Sequence, residues 1–354
     1  MAKESVFVGV SGGVDSSVAL LRLKEAGYEV TAVFIKTWQP DFIECTWKRD
    51  RLDAMRVSAT LGVPFITFDA VETYKKQVAE YMIKEYTEGR TPNPDVMCNE
   101  YVKFGAFYDF ARENGADKVA TGHYAQVLRS RDSYELHRGI DSNKDQSYFL
   151  WRLSVTQFPY ILFPIGDSFK PAIRAEAMEA NLPTHAKHDS QGICFLGQID
   201  IKDFLSHYVT PKEGYVLDTS GAIVGKHDGA LFYTLGQRHG FATHTKQDTE
   251  KAYYIIAKDI TANTLTVDHT PPTCIGTKVT LCDINIFDQD LPEFCSAQFR
   301  YRQEPFKVQC KRESDDAIVV TILDLDVDFP SVGQSCVFYH GNLCLGGGII
   351  QKVE

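Results

Sequence analysis

The stretch Val6-Phe7-Val8-Gly9-Val10-Ser11-Gly12-Gly13-Val14-Asp15-Ser16-Ser17-Val18-Ala19-Leu20-Leu21 decides the fold. A short β-branched run enters a glycine turn, and the turn opens a segment with helical apolar spacing. Strand-like residues 29–35 follow, then a helical pattern from about 50 to 61, Gly62, and another strand-like run at 64–68. Helical patterns at about 71–86 and 100–113 precede a last short strand at 118–120. Strands alternating with helices of this length imply βαβ units, so the expected fold is α/β, a doubly wound and mostly parallel sheet. The glycine turn then ends the first strand of such a sheet, where these folds bind ligands. Two glycines let a phosphate approach the backbone, and the helix start offers free N–H groups and a positive dipole end. Ser11, Ser16 and Ser17 add hydroxyls. Alone, the same residues read equally as a glycine turn with serine caps; the position in the sheet favours phosphate. Gly-Lys-Ser/Thr is absent, so this is not a Walker A loop, and no lysine is expected to reach the phosphates.

After about residue 205 the pattern becomes short, β-rich and punctuated by turns. Residues 214–218 and 252–257 read as strands, and 259–264 reads as a hairpin loop. A second β series begins at Lys278 and ends at 348–350. The expected division is residues 1–204 as a catalytic α/β domain, 205–275 as a small central β-rich module, and 276–354 as a C-terminal β-barrel. With 354 residues, 44% hydrophobic and 24% charged, the chain is an ordinary globular protein of more than one domain. No run approaches the roughly 20 apolar residues of a membrane span, and the N-terminal apolar run is short for a signal peptide. Nine cysteines without C-x-x-C spacing argue for reduced thiols and a cytoplasmic location rather than a disulfide framework. The net charge of −10 excludes indiscriminate coating of nucleic acid, although it allows a local basic face for one folded RNA.

Further motifs stand in order along the chain: Gly89-Arg90-Thr91-Pro92-Asn93-Pro94-Asp95-Val96-Met97-Cys98-Asn99, Ala120-Thr121-Gly122-His123-Tyr124-Ala125, Lys144-Asp145-Gln146-Ser147-Tyr148-Phe149-Leu150 and Asp189-Ser190-Gln191-Gly192-Ile193-Cys194-Phe195. The first loop resembles the pyrophosphatase loop, S-G-G-x-D-S, of enzymes that cleave ATP between its α and β phosphates. Together the motifs closely resemble the bacterial tRNA-specific 2-thiouridylases, which replace the C2 oxygen of the wobble uridine with sulfur. The resemblance runs on through Phe299-Arg300-Tyr301-Arg302-Gln303 and Val332-Gly333-Gln334.

That resemblance implies a set of roles. Ser11, Gly12, Gly13, Val14, Asp15, Ser16, Ser17 and Val18 would hold ATP with Mg²⁺ on its phosphates, and Ile35 and Gly122 would lie against the nucleotide. Ile35 stands where the family usually carries Met; the bulk and apolarity are similar, so ATP binding is expected to survive. Cys194 would carry sulfur as a persulfide supplied by a cysteine desulfurase or sulfur-relay protein, and Cys98 would be its nucleophilic partner. Cys98 follows a proline-rich loop and precedes a helix expected near Asn99, a setting that lowers a thiol pKa if the group is partly exposed. Most of the other seven cysteines read as small buried hydrophobes. Asp95 is a candidate acid/base, or equally a turn residue after Pro94. Asn93, Pro94 and Asp95 would face the target base, with His123, Lys144, Asp145, Gln146, Arg300, Tyr301 and Gln334 on the tRNA.

Composition adds one argument. Arg300, Arg302, Lys307, Lys311 and Arg312 face a single acid, Glu304, and interleave with Phe299, Tyr301 and Phe306. On a β surface this suits phosphate contact and base stacking. Two other readings stand beside this one. An amide-forming ligase would use the same loop without paired cysteines, and an RNA-binding module would release no pyrophosphate.

Overall fold

The computed structural model describes residues 3–43, 46–188, 201–243, 252–271, 274–287, 290–325 and 327–354. The first strand, β1 (Ser5–Gly9), lies at the centre of a parallel sheet, with Val6 and Val8 fully buried. β2 (Glu29–Lys36), β3 (Phe65–Asp69) and β4 (Lys118–Thr121) follow in sequence. The chain then makes a hairpin, β5 (Ala125–Ser130) and β6 (Ser133–Arg138), before returning as the short β7 (Ile161–Leu162). The sheet order is β3-β2-β1-β4-β7, every pair parallel. Strands covered on both faces need apolar residues at successive positions, hence the continuous runs that mark them in the sequence.

Alternate residues of these strands enter two separate cores. Val6, Val8 and Ala32 join Val18, Leu20 and Val57 on the side of α1 (Val14–Glu25) and α2 (Trp47–Leu61). Phe7, Val33 and Val119 join Tyr74, Met82 and Phe107 on the other side, from helical segments 71–87 and 94–113. The winding reverses between β1 and β4, which opens a crevice at their carboxyl ends. α2 stops at Gly62, whose φ of 61° is the left-handed conformation that terminates helices.

The central module is a five-stranded sheet of β8 (Gly214–Leu217), β9 (Ile223–His227), β10 (Ala242–Thr243), β11 (Tyr254–Asp259) and β12 (Thr264–Asp268). The expected hairpin is present, β11 pairing antiparallel with β12 across residues 259–264. The last module contains β13 (Lys278–Ile286), β14 (Phe294–Gln298), β15 (Phe306–Ser314), β16 (Ala317–Ile322), β17 (Ser335–His340) and β18 (Leu343–Val353). Pairing of β13 with both β16 and β18 closes it into a barrel. The fold class is therefore the expected one. A feature absent from the sequence reading joins the parts: the β5–β6 hairpin of the first domain is added to the barrel sheet beside β18, with Leu343 opposite His137.

Two local expectations need correction. The helix bearing Cys98 begins at Pro94, not near Asn99, because proline fits the first helical position and Asn93 caps it, its Oδ1 accepting from the Val96 amide at 3.4 Å. The basic segment 298–312 is not one strand. Residues 299–305 turn between β14 and β15, and Phe299 and Phe306 stack edge to face at 4.8 Å inside the barrel core instead of offering rings to RNA.

Candidate active site

The glycine loop sits at the carboxyl end of β1, beside the crevice. Gly13 is the N-cap of α1 and supplies no side-chain cap, so the first-turn N–H groups of the helix remain open to an anion. Gly12 has φ +75°, and a Cβ there would lie 2.4 Å from the Asp50 carbonyl oxygen; the loop packs directly on α2 and only glycine fits. The Ser11 amide donates to Ser16 Oγ at 3.1 Å, and Ser17 Oγ donates to the Gly13 carbonyl at 2.6 Å. Thr184 reaches across to give Ser17 Oγ its own hydroxyl at 3.0 Å. Val14 and Val18 are buried beneath the loop, and Ile35, at the end of β2, contacts the region of Gly9. This cradle of backbone amides and hydroxyls fits a phosphate chain.

Gly122 follows β4 and rests on the start of α1. A Cβ there would meet Ser16 N at 2.7 Å and the Asp15 carbonyl carbon at 2.8 Å. Its role in the structure is thus to let β4 and the phosphate loop touch. His123 points inward and is 6% exposed, its Nδ1 2.7 Å from Thr121 Oγ1 and its Nε2 3.3 Å from Lys103 Nζ. Burial, with the Lys103 charge adding to it, holds its pKa well below the usual imidazole value.

The sequence reading missed the cations of this site and expected none near the phosphates. Lys170, buried at the start of helix α3 (Lys170–Glu179), places Nζ 2.7 and 2.8 Å from the two Asp15 oxygens. Tyr124 Oη donates to the same carboxylate at 2.8 Å. Lys187 sits 2.8 Å from Asp50 and 2.9 Å from Asp53, the acids of α2 nearest Gly12. No local sequence signal marks either lysine, since each acts on residues more than a hundred positions away.

Asn93 and the helix after it belong to a junction of all three modules. The Thr91 amide donates to Val332 O at 2.8 Å, and Gln334 Nε2 donates to the carbonyls of Thr91 and Pro92 at 3.0 and 3.2 Å. The Thr91 and Thr234 hydroxyls lie 3.2 Å apart, and a Cβ on Gly89 would lie 2.5 Å from Ile260. At this junction opens a cleft of about 1080 Å³, lined by Asn93, Arg300, Tyr301 and Gln334 along with Arg238 and His239 of the central module. Arg300 donates to the carbonyls of Leu235 and Phe329, which turns its guanidinium along the cleft wall.

Cys98 stands in the second turn of its helix and is 2% exposed, packed in the core with Met97 and Val102. It is therefore not the partly exposed thiol the sequence reading required. Pro94 is buried and Asp95 half-buried on the first turn. Of the Lys144-Asp145-Gln146 loop, Lys144 is half-buried, whereas Asp145 is turned inward onto Arg138 at 2.7 Å and the amides of Gly139 and Ser147. Gln146 Oε1 accepts from the Tyr124 amide at 3.0 Å. The following Tyr148 and Trp151 bond to Ser335 of the barrel, so this loop is largely an inter-domain joint. Cys194 lies outside the described residues. Among those residues no group of three or more metal-ligating side chains converges, and no helix is long and apolar enough to cross a membrane.

A phosphate-loop α/β domain fused to two β modules defines a nucleotide-binding class of protein. Family models match the three parts in order: "tRNA methyl transferase HUP domain" at residues 4–198, "tRNA methyl transferase PRC-barrel domain" at 202–269, and "Aminomethyltransferase beta-barrel domain" at 276–350. The chain is 44% identical over 357 residues to the tRNA-specific 2-thiouridylase MnmA of Bacillus velezensis, covering 98% of this chain and 95% of that one. It is 43% identical over 361 residues to the MnmA of Streptococcus mutans, with 99% and 96% covered. Against the MnmA of Bacillus subtilis it is 42% identical over 357 residues, with 98% and 95% covered. The chain belongs to the tRNA-specific 2-thiouridylase family and is a tRNA sulfurtransferase.

Proposed function

We propose that the enzyme thiolates C2 of the wobble uridine of tRNA at the expense of ATP. The observation that carries this reading is the three-module junction, where Asn93 opens into a cleft edged by Arg300 and Tyr301 on the same short segment that leads to Cys98. An unpaired wobble base extruded into such a cleft costs only a few kcal/mol of stacking. Residues 1–204 then perform the chemistry, while 205–275 and 276–354 supply the remaining walls of the RNA site.

The glycine–serine loop, Ser11 to Val18, holds the phosphates of ATP, and Mg²⁺ accompanies them. The uridine C2 oxygen attacks the α-phosphorus, a P–O bond forms, and pyrophosphate leaves. Cys194 carries a persulfide received from a cysteine desulfurase or sulfur-relay protein. Its terminal sulfur attacks C2 and AMP departs with the former C2 oxygen. Cys98 thiolate then attacks Cys194 Sγ, which breaks the old S–S bond, forms a Cys98–Cys194 disulfide and leaves C2=S. Alternatively, Cys98 attacks the persulfide first and frees hydrosulfide as the nucleophile. Either route ends in a disulfide that a thiol reductant must open. A bridge between the two thiols needs their Cα atoms within about 7 Å. Asp95, half-buried a turn earlier, is the candidate to manage protons at the base. The contacts of Asp145 and His123 favour structural support for the tRNA site over direct contact by their side chains.

Peptide mapping after a single turnover without reductant tests the thiol assignments. The expected product is a Cys98–Cys194 bridge, with Cys194→Ala unable to load persulfide and Cys98→Ala loading it without sustained turnover. Cys194 paired with Cys45, or full multiple-turnover activity in Cys98→Ala, would refute them.

A further inference from the structure

Asp15 poses an electrostatic problem. It is the second residue of α1, inside the loop whose amides suit a phosphate chain, so its negative charge sits in the first turn of the helix start that a polyanion would approach. A negative group there repels the ligand that the helix start attracts, and the low dielectric around a half-buried loop sharpens the repulsion. The fold answers with Lys170. Its backbone amide is fixed by Asp141 Oδ2 at 2.9 Å, Pro171 fits the helix start beside it, and its side chain is 9% exposed. The ammonium is largely shielded from solvent and straddles both Asp15 oxygens. The Tyr124 hydroxyl on Asp15 Oδ1 fixes the carboxylate from a third element.

We propose that Lys170 is a positioning residue for the nucleotide: it cancels the Asp15 charge and fixes the carboxylate's orientation, so that the loop accepts a triphosphate. The inference rests on ATP binding at this loop. It assigns the lysine that the loop itself lacks to the start of a helix 155 residues further along the chain. A pair that merely braced the fold would be indifferent to what occupies the loop; a charge-cancelling pair is not.

A double-mutant cycle on ATP binding separates the two. Equilibrium dialysis with ATP is run on the full-length wild type, Lys170→Met, Asp15→Asn and the double variant, with tRNA affinity as the measure of a folded protein. Lys170→Met, leaving the half-buried Asp15 carboxylate without its cation beside the phosphates, is expected to weaken ATP by about 30-fold or more. Adding Asp15→Asn removes the repulsion and should restore about 10-fold of that loss, while Lys170→Arg keeps most of the wild-type affinity and tRNA binding stays unchanged. Where Lys170→Met does not fold, Lys170→Gln takes its place with the same expectations. Wild-type ATP affinity in the folded Lys170 variant, or a double variant as weak as the single one, overturns the proposal. A wild type that binds tRNA but not ATP sinks the nucleotide reading beneath it instead.

Discussion

Gly122→Ala is the smallest change that tests whether the phosphate loop is set by backbone contact with β4. A methyl group at this position would lie 2.7 Å from Ser16 N, 2.8 Å from the Asp15 carbonyl carbon and 2.9 Å from Ser16 Cα. All three are backbone atoms at the start of α1, so no side chain can rotate away. Carbon contacts are comfortable near 3.5 Å or more, so the helix start must retreat by about half an ångström or more. Gly122 does not have the left-handed φ that itself demands glycine, so the whole effect comes from this crowding. Overpacking of this kind costs about 1–3 kcal/mol of stability. A displacement of about 1 Å in a positioning element can also cost on the order of 100-fold in rate. Urea denaturation and pyrophosphate release measured on the same preparation give both numbers. ATP affinity should fall while tRNA affinity holds, because the barrel and cleft are untouched. A Gly122→Ala enzyme with wild-type stability and wild-type pyrophosphate release would refute the reasoning.

Arg300→Ala, which removes a cation from the cleft wall, should weaken tRNA binding and lower the slope of log affinity against log salt by about one, without moving ATP affinity. An unchanged slope would mean that Arg300 serves only the Leu235 and Phe329 carbonyls. His123 is held neutral by burial, so as pH falls below the unfolded imidazole value of about 6.5 the unfolded chain takes up a proton that the folded chain refuses. The wild type should therefore lose stability between about pH 7 and 5, and His123→Asn should flatten that loss in pH-dependent urea melts. Equal slopes for the two proteins would show that other groups carry the acid sensitivity.

The parallel sheet was legible because strands buried on both faces leave continuous apolar runs, as at 6–10 and 29–35, and because Gly12-Gly13 and Gly62 punctuate them. The β11–β12 hairpin was legible from its turn residues. Contacts between distant segments were not. The Lys170–Asp15 pair joins residues that share no local pattern, and the β5–β6 hairpin reads as part of its own domain although it extends the barrel sheet. Segment 298–312 misled because charge alternation looks alike on a strand and across a turn; only the inward packing of Phe299 and Phe306 separates them. Cys98 misled for a related reason. Proline and asparagine before it signal a helix start, but the start falls at Pro94, and a turn further in the thiol reaches the core.

The central claim is that tRNA, ATP and a persulfide sulfur meet in one reaction at the wobble uridine. Incubating unmodified tRNA with the enzyme, ATP, Mg²⁺ and a sulfide source, then digesting to nucleosides for mass spectrometry, tests it most directly. The account predicts 2-thiouridine at the wobble position, with one AMP and one pyrophosphate formed per sulfur inserted, and no pyrophosphate without tRNA. Pyrophosphate released equally in the absence of tRNA, or tRNA recovered with its wobble uridine unthiolated while ATP is consumed, would contradict it.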